Sequence, residues 1–375
     1  MPVRGARADV VGPVAFRGVA FRGRINYPSP VWTGMELVEG YDHQRGVHCG
    51  AIALRNVTAH YGWNYSEATC FGVGGGPAFV TYGDAAGPDV PFRTSPTWLE
   101  RAFLERVGVP HLYREGDDFE TAWENVTAHV DEDDPVVVFL DPAPLDYLPD
   151  GPAHLPPHVA VLIGYDEDAG TVQLSDGAVA SRQEVSRSTL EAAWTHDGVV
   201  ALDNEYLVVT RAALTADGTD AAATGLRQAA TYMLDPLQIK RDARRPGEEG
   251  LAALRSFAAR IETWPDLDDP TTTVRAARRS IDEHGEGAAF RGLYADALGE
   301  LGQRTGLTPD LADRMARVGE TWRTVADSLG DGIADGEPRP AAFAEAASVV
   351  GEIADREEAI FEDLVEQLGG VNHRR

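Results

Sequence analysis

The segment His48-Cys49-Gly50-Ala51-Ile52-Ala53-Leu54-Arg55-Asn56 constrains this chain more than any other. It sets a cysteine at the mouth of an amphipathic helical pattern, and the chain has only two cysteines, Cys49 and Cys70. A thiol at a helix N-terminus feels the positive end of the helix dipole and the unpaired N–H groups of the first turn. Both stabilise the thiolate, which is the nucleophilic form. A fold that uses such a thiolate must bring a base to it.

A base follows about a hundred residues on. His158 opens the run His158-Val159-Ala160-Val161-Leu162-Ile163-Gly164-Tyr165-Asp166, which has the length and β-branched content of a buried strand. Thr171-Val172-Gln173-Leu174-Ser175-Asp176-Gly177 alternates like its hairpin partner across the turn-rich segment 166–170. Histidine at the start of one strand and Asp176 at the end of the next lie side by side in an antiparallel pair. The carboxylate then orients the imidazole. Cysteine on an early helix, with histidine and acid on a later hairpin, is the chain order of papain-like thiol enzymes.

The run HCGAIALRN followed by HYGWNYSEATCFGVGGG, then HVAVLIGYD and LSDG, resembles the N-terminal domain of butirosin biosynthesis protein H. The later FRGLYADALGEL and ETWRTVADSL resemble the helical domain of unknown function that commonly follows it. The resemblance covers roughly residues 42–330. It implies a papain-like thiol fold and, from the named member, transfer of an acyl group from a carrier-protein thioester to an amine. Related bacteriocin-leader peptidases carry a glutamine about six residues before the cysteine; Gln44 lies five before Cys49, and the resemblance offers it as an oxyanion-hole donor.

Composition narrows the setting. The formal net charge is −27, and of 33 basic residues only Lys240 is a lysine. A surface so acidic and lysine-poor suits hydration in concentrated salt and points to a high-salt cytoplasm. Such a charge argues against nucleic acid or an anionic membrane as partner, because phosphate contacts need a basic face. Two cysteines exclude a disulfide-stapled scaffold and a four-cysteine zinc site. The first thirty residues lack the apolar core of a signal peptide, and no stretch reaches eighteen apolar residues, so a soluble cytoplasmic protein is expected.

Periodicity divides the chain into an extension over 1–40 packed on the first domain, a thiol domain over 41–214, a linker over 215–225 and an α-helical domain over 226–375. Helices are expected at 49–61, 97–107 and 119–130, then a strand at 135–140, the His158 hairpin and a strand at 205–210. Beyond the linker, helices are expected at 248–263, 270–283, 287–304, 308–329 and 339–368. Helices first and a sheet later make an α+β first domain, with an all-α second domain after it.

Several residues carry competing readings. Cys70, in an apolar context, is core. His48 is adjacent to Cys49, so on a helix it points about 100° away and serves structure or the thiolate rather than proton relay. His154 and His43 are rival bases. The cluster Gly72 to Gly76 lacks the Lys-Ser/Thr ending of a phosphate loop; it either lets backbone approach a substrate or makes a tight turn. Gln44, His48, Gly50, Glu67, Gly74 and Gly75 are therefore the expected oxyanion and substrate-lining set, although Ser66-Glu67 also reads as helix-start chemistry. The basic run 240–245, with Arg275, Arg278 and Arg279, could dock an acidic carrier protein. Pairing with nearby carboxylates is the reading favoured.

The chain is thus read as an acyltransferase-like thiol enzyme, with Cys49 as nucleophile, His158 as base and Asp176 as orienter. An acyl carrier protein and an amine acceptor are its partners. No cofactor or metal is expected, phosphopantetheine entering only on the carrier protein as substrate. A cysteine peptidase or amide hydrolase with the same triad, and a non-catalytic peptide-binding module, are the alternatives. If the acidic surface is a salt adaptation, the thermal midpoint falls on transfer from molar salt to dilute buffer, where like charges repel over a longer Debye length. An unchanged midpoint would contradict this.

Overall fold

The structure, a computed structural model, describes residues 35–81, 98–148, 157–197, 201–214, 218–236, 248–282, 288–334 and 336–369. Nearly all of the expected extension over 1–40, His154 and the basic run 240–245 lie outside the described residues. A short strand, β1 (Glu36–Leu37), leads into α1 (Cys49–His60) and α2 (Glu67–Gly74). Then come β2 (Val80–Thr81), α3 (Trp98–Val107), β3 (His111–Arg114) and α4 (Phe119–Val130). Strands β4 (Val136–Leu140), β5 (His158–Asp166), β6 (Thr171–Ser175) and β7 (Gln183–Ser186) follow, with α5 (Arg187–Ala193) after them. Two strand pieces, β8 (Thr195–His196) and β9 (Leu202–Asp203), precede β10 (Tyr206–Val209). The rest comprises α6 (Gly218–Leu234), β11 (Glu248–Glu249), α7 (Gly250–Ile261), α8 (Pro270–Asp282), α9 (Arg291–Thr305), α10 (Asp310–Asp331) and α11 (Pro340–Gln367).

The main sheet runs β3-β10-β4-β5-β6-β7, with β1 added to β5. Every pairing in it is antiparallel. Its centre is β5, apolar from Val159 to Ile163 without alternation and buried along that length. A strand covered on both faces takes that composition, and α1 and α4 both pack against it. The helices of the C-terminal half gather around α11, which contacts α6, α7 and α10. Its buried positions Phe343, Ala346, Ala347, Val350, Ile353, Ala354, Glu357, Ile360, Phe361 and Leu364 follow helical spacing and form one apolar stripe. Glu357 is the exception on that stripe. It meets Arg291 at the start of α9, where Nε donates to Oε1 at 2.7 Å and a terminal nitrogen donates to Oε2 at 3.0 Å. The pair is almost fully buried, at 2% and 0% exposure.

An α+β N-terminal half followed by a helical half is what the sequence led us to expect. Two features differ. Most of the expected linker over 215–225 is helix, because α6 starts at Gly218. Its alanines and glycines serve close packing rather than flexibility. Ala221 and Ala222 are buried, and a methyl group on Gly225 would lie 2.5 Å from the carbonyl oxygens of Gly72 and Val73. Backbone of α6 therefore rests on backbone of α2, which a side chain would prevent. Second, the helical half contains a strand: β11 pairs with β2, Glu248 opposite Thr81 and Glu249 opposite Val80. The described residues fall in one compact unit. Among the described residues, no helix is long and apolar enough to cross a membrane.

Candidate active site

The site forms where the N-terminus of α1 meets the first residue of β5 and the turn after β6. His158 pairs with Leu140 of β4. On the other side, Val161 faces Ser175. Continued by one step, that register sets Asp176 opposite Ala160, two residues from His158 on the same face of the sheet. Side chains in this diagonal relation can meet, and they do: His158 Nε2 lies 2.6 Å from Asp176 Oδ2. The Cys49 side chain hydrogen-bonds His158 as well. Because Nε2 is turned to Asp176, Nδ1 is the nitrogen left to face the thiol. Cys49 is half-buried, His158 6% exposed and Asp176 fully buried.

Asp176 has further partners that hold its charge. The Tyr147 hydroxyl donates to Oδ2 at 2.9 Å, and the Ala178 N–H donates to Oδ1 at 2.9 Å. Burial alone would raise the Asp176 carboxyl. The charge and hydrogen bond of His158, with the Ala178 and Tyr147 donors, instead hold it below the usual carboxylate range. For His158, burial pulls the other way and favours the neutral ring. The Asp176 charge and hydrogen bond outweigh it, with Cys49 adding, and push His158 up to about 10. The signs define a window. The His158 contribution to stability is complete below its ordinary 6.5 and is lost as pH rises through about 10. The Asp176 contribution is complete above its ordinary 3.8 and is lost as pH falls through its lowered value. The pair is therefore ionised at neutral pH.

The loop before Cys49 is held from three directions. His48 is the N-cap of α1, its Nδ1 accepting from the Ala51 N–H at 3.1 Å. A cap of this kind is worth about 1 kcal/mol. Glu67 Oε1 accepts from the backbone N–H of Val47 at 2.8 Å and of His48 at 2.7 Å. The Gly46 N–H donates to the Gly177 carbonyl at 3.0 Å, tying the loop to the turn that carries Asp176. Ile52 sits where both glycines come close: a methyl group on Gly177 would lie 2.1 Å from its Cγ2, and one on Gly46 would lie 2.7 Å from its Cβ.

Cys49, His158 and Asp176 thus come together as the sequence pattern indicated. Most of the expected lining residues do other work. Gln44 is exposed; its side-chain amide donates to Asp42 at 2.8 Å and its backbone carbonyl accepts from the Asn56 side chain at 2.9 Å. Neither bond involves the thiol. Glu67 anchors the backbone of the loop before Cys49. Gly50 is buried against Glu100 of α3: a methyl group on it would lie 1.7 Å from Glu100 Oε1. Gly74 and Gly75 end α2, Gly75 in the left-handed conformation at φ 94°. Both are buried, and a methyl group on Gly74 would meet Leu99 at 2.6 Å. The glycine cluster is therefore a tight, close-packed stop.

The rival residues also find places. Cys70 is fully buried, and burial, with Glu67 and Glu300 adding, pushes its thiol well above the ordinary value. His43 has both ring nitrogens engaged, with Ser175 Oγ at 2.8 Å and the Val179 carbonyl at 3.2 Å. Arg278 pairs with Asp282 at 3.7 Å. Sequence reasoning missed Tyr147, whose contact with Asp176 spans 29 positions and leaves no local signature. Glu100 did leave one: it shares helical spacing with the buried Phe103, Leu104 and Val107, so a carboxylate stands on an apolar face.

Two family models match the chain, one in each half. Residues 48–177 match the family described as butirosin biosynthesis protein H, N-terminal. Residues 188–364 match a domain of unknown function, DUF4872. A solved chain from Bacillus anthracis, described as a C39-like peptidase, is 13% identical, with a TM-score of 0.33. The match covers 48% of this chain and 98% of that one. No curated protein matches the sequence. The N-terminal half is α+β, with the Cys49 helix packed against β5, the strand that opens with His158.

The Asp176 contribution to the imidazole can be measured directly. An NMR titration of the His158 ring is expected to show a midpoint near 10. In Asp176→Asn burial opposes the charged ring with only Cys49 left to favour it, and the midpoint falls well below the native one. A midpoint that does not move in the variant would mean that Asp176 does not charge the ring.

Proposed function

The chain carries the butirosin biosynthesis protein H N-terminal domain followed by DUF4872, and on that basis we propose that it is a cysteine-dependent acyltransferase. The observation that carries the reading is the Cys49–His158–Asp176 line, with the thiol hydrogen-bonded to an imidazole held protonated by a buried carboxylate. The Cys49 thiolate attacks the carbonyl carbon of a thioester, such as one presented on the phosphopantetheine arm of a carrier protein. The N–H groups that open α1 stabilise the oxyanion; one such donor is typically worth about 3–4 kcal/mol. The donor thiolate leaves and takes the proton from His158, and the acyl group stays on Cys49. An amine then attacks the acyl-enzyme and gives a proton to His158. Collapse expels the Cys49 thiolate and forms the amide, returning both groups to their starting state.

Transfer differs from hydrolysis only in which nucleophile discharges the acyl-enzyme, and the triad serves both. Transfer is preferred here because the chain resembles the butirosin biosynthesis protein H family, whose named member transfers an acyl group to an amine. Incubation with a simple acyl thioester is expected to leave one acyl mass on Cys49, absent in Cys49→Ala. A primary amine at millimolar concentration is expected to discharge it at least ten-fold faster than water alone. Discharge at the same rate with and without amine, together with cleavage of peptide or amide substrates, would make the protein a hydrolase. Absence of any adduct would leave a binding module.

A further inference from the structure

A residue of the helical half that reaches the N-cap of the thiol helix has its backbone held in an unusual conformation. Just before α9, Ala289 and Phe290 both have positive φ, 45° and 62°. Neither is glycine, and side chains rarely adopt this region. Such a conformation persists only where the surroundings over-determine it, and it marks places where a side chain is being aimed. The surroundings here are specific. Arg291, the next residue, is clamped by both Glu357 oxygens and also donates to the carbonyls of Ala289 and Ala78, at 3.0 Å and 3.2 Å. Gly319 of α10 makes room for the turn: a methyl group there would lie 3.2 Å from Ala288 Cβ and 3.3 Å from the Gly292 nitrogen.

The ring so aimed meets His48. Its centroid lies 5.0 Å from that of His48, edge-on at 66°. Phe71 of α2 packs on the same imidazole at 4.9 Å and lies 6.2 Å from Phe290. His48 is the N-cap of the Cys49 helix, and its bond to Ala51 needs Nδ1 unprotonated and turned toward that N–H. Two aromatic neighbours, one from each half of the chain, hold the ring that makes this bond.

We infer that Phe290 is a positioning residue for Cys49: by fixing the His48 cap, it makes the helical half a working part of the thiol site. The inference rests on the proposed role of Cys49 as nucleophile. It assigns the region matched by DUF4872 a task that its packing alone would not require. Phe290 is only half-buried, so its loss should cost the fold less than it costs the site, and glycine suits its backbone.

The test is the rate of Cys49 alkylation by iodoacetamide, read by peptide mass mapping beside the thermal midpoint. Phe290→Gly is expected to keep the midpoint within a few degrees and to slow Cys49 at least ten-fold. Phe290→Tyr, which keeps the ring, should react within two-fold of the native chain. Phe290→Leu keeps apolar bulk and folds, but should slow Cys49 at least three-fold. Phe343→Leu, in the core of α11 against Gly332, should lower the midpoint without changing the rate. A native rate in both Phe290→Gly and Phe290→Leu would overturn the inference, as would equal slowing by Phe343→Leu. A native Cys49 no faster than Cys70 would instead remove the nucleophile reading itself, and this inference with it.

Discussion

One side-chain fit fixes the distance between the thiol and its base. Ile52, one turn into α1, fills the space left by the absent side chains of Gly46 and Gly177. The first glycine lies in the loop that delivers Cys49, and the second follows Asp176. The Gly46 N–H to Gly177 carbonyl bond closes the same contact. Interiors pack at crystal density, so such a fit admits little adjustment. The helix can slide neither along the sheet nor away from it without opening a void or striking backbone. His158 enters on β5, whose register with β4 and β6 is set independently by their hydrogen-bonded ladders. Helix and sheet are thus packed together with this fit beside the reacting groups.

Polar contacts then decide the charge state. Asp176 is fully buried, and a buried carboxylate stays ionised only with donors around it. It has the imidazole, the Tyr147 hydroxyl and the Ala178 N–H. Its charge in turn keeps His158 protonated despite burial. The Arg291–Glu357 pair in the helical half follows a different logic. Burying two charges costs about as much as their attraction returns, so its contribution is to hold the turn before α9 in one arrangement. Helix α2 connects the two halves, bearing Glu67 for the thiol loop, Phe71 for His48, and the backbone on which α6 rests.

Much of this was legible in the sequence, for identifiable reasons. Strong periodicity and long apolar runs marked α1, α4, β4, β5 and the helices from α7 onward, and the chain order of Cys49, His158 and Asp176 pointed to one site. What failed was mostly glycine and alanine. The segment 215–225 looked like a linker because small residues signal both flexibility and close helix packing, and only the position of α2 distinguishes the two. Gly74 and Gly75 could be read equally as substrate-facing backbone or as a tight turn for the same reason. Glu67 read ambiguously because a carboxylate at a helix start can face several ways. Tyr147 and Phe290 act through contacts far apart in the chain, and no pattern of neighbours encodes those.

The proposed chemistry requires Cys49 to be ionised beside His158. Thiolate absorbance near 240 nm, followed against pH in a Cys70→Ser background, reports it directly. Absorbance assignable to Cys49 should be present at neutral pH, should vanish in Cys49→Ala, and should require a much higher pH in His158→Ala. A Cys49 signal that appears only near the free-thiol value of about 8.5, unchanged by loss of His158, would contradict the ion pair and the chemistry built on it.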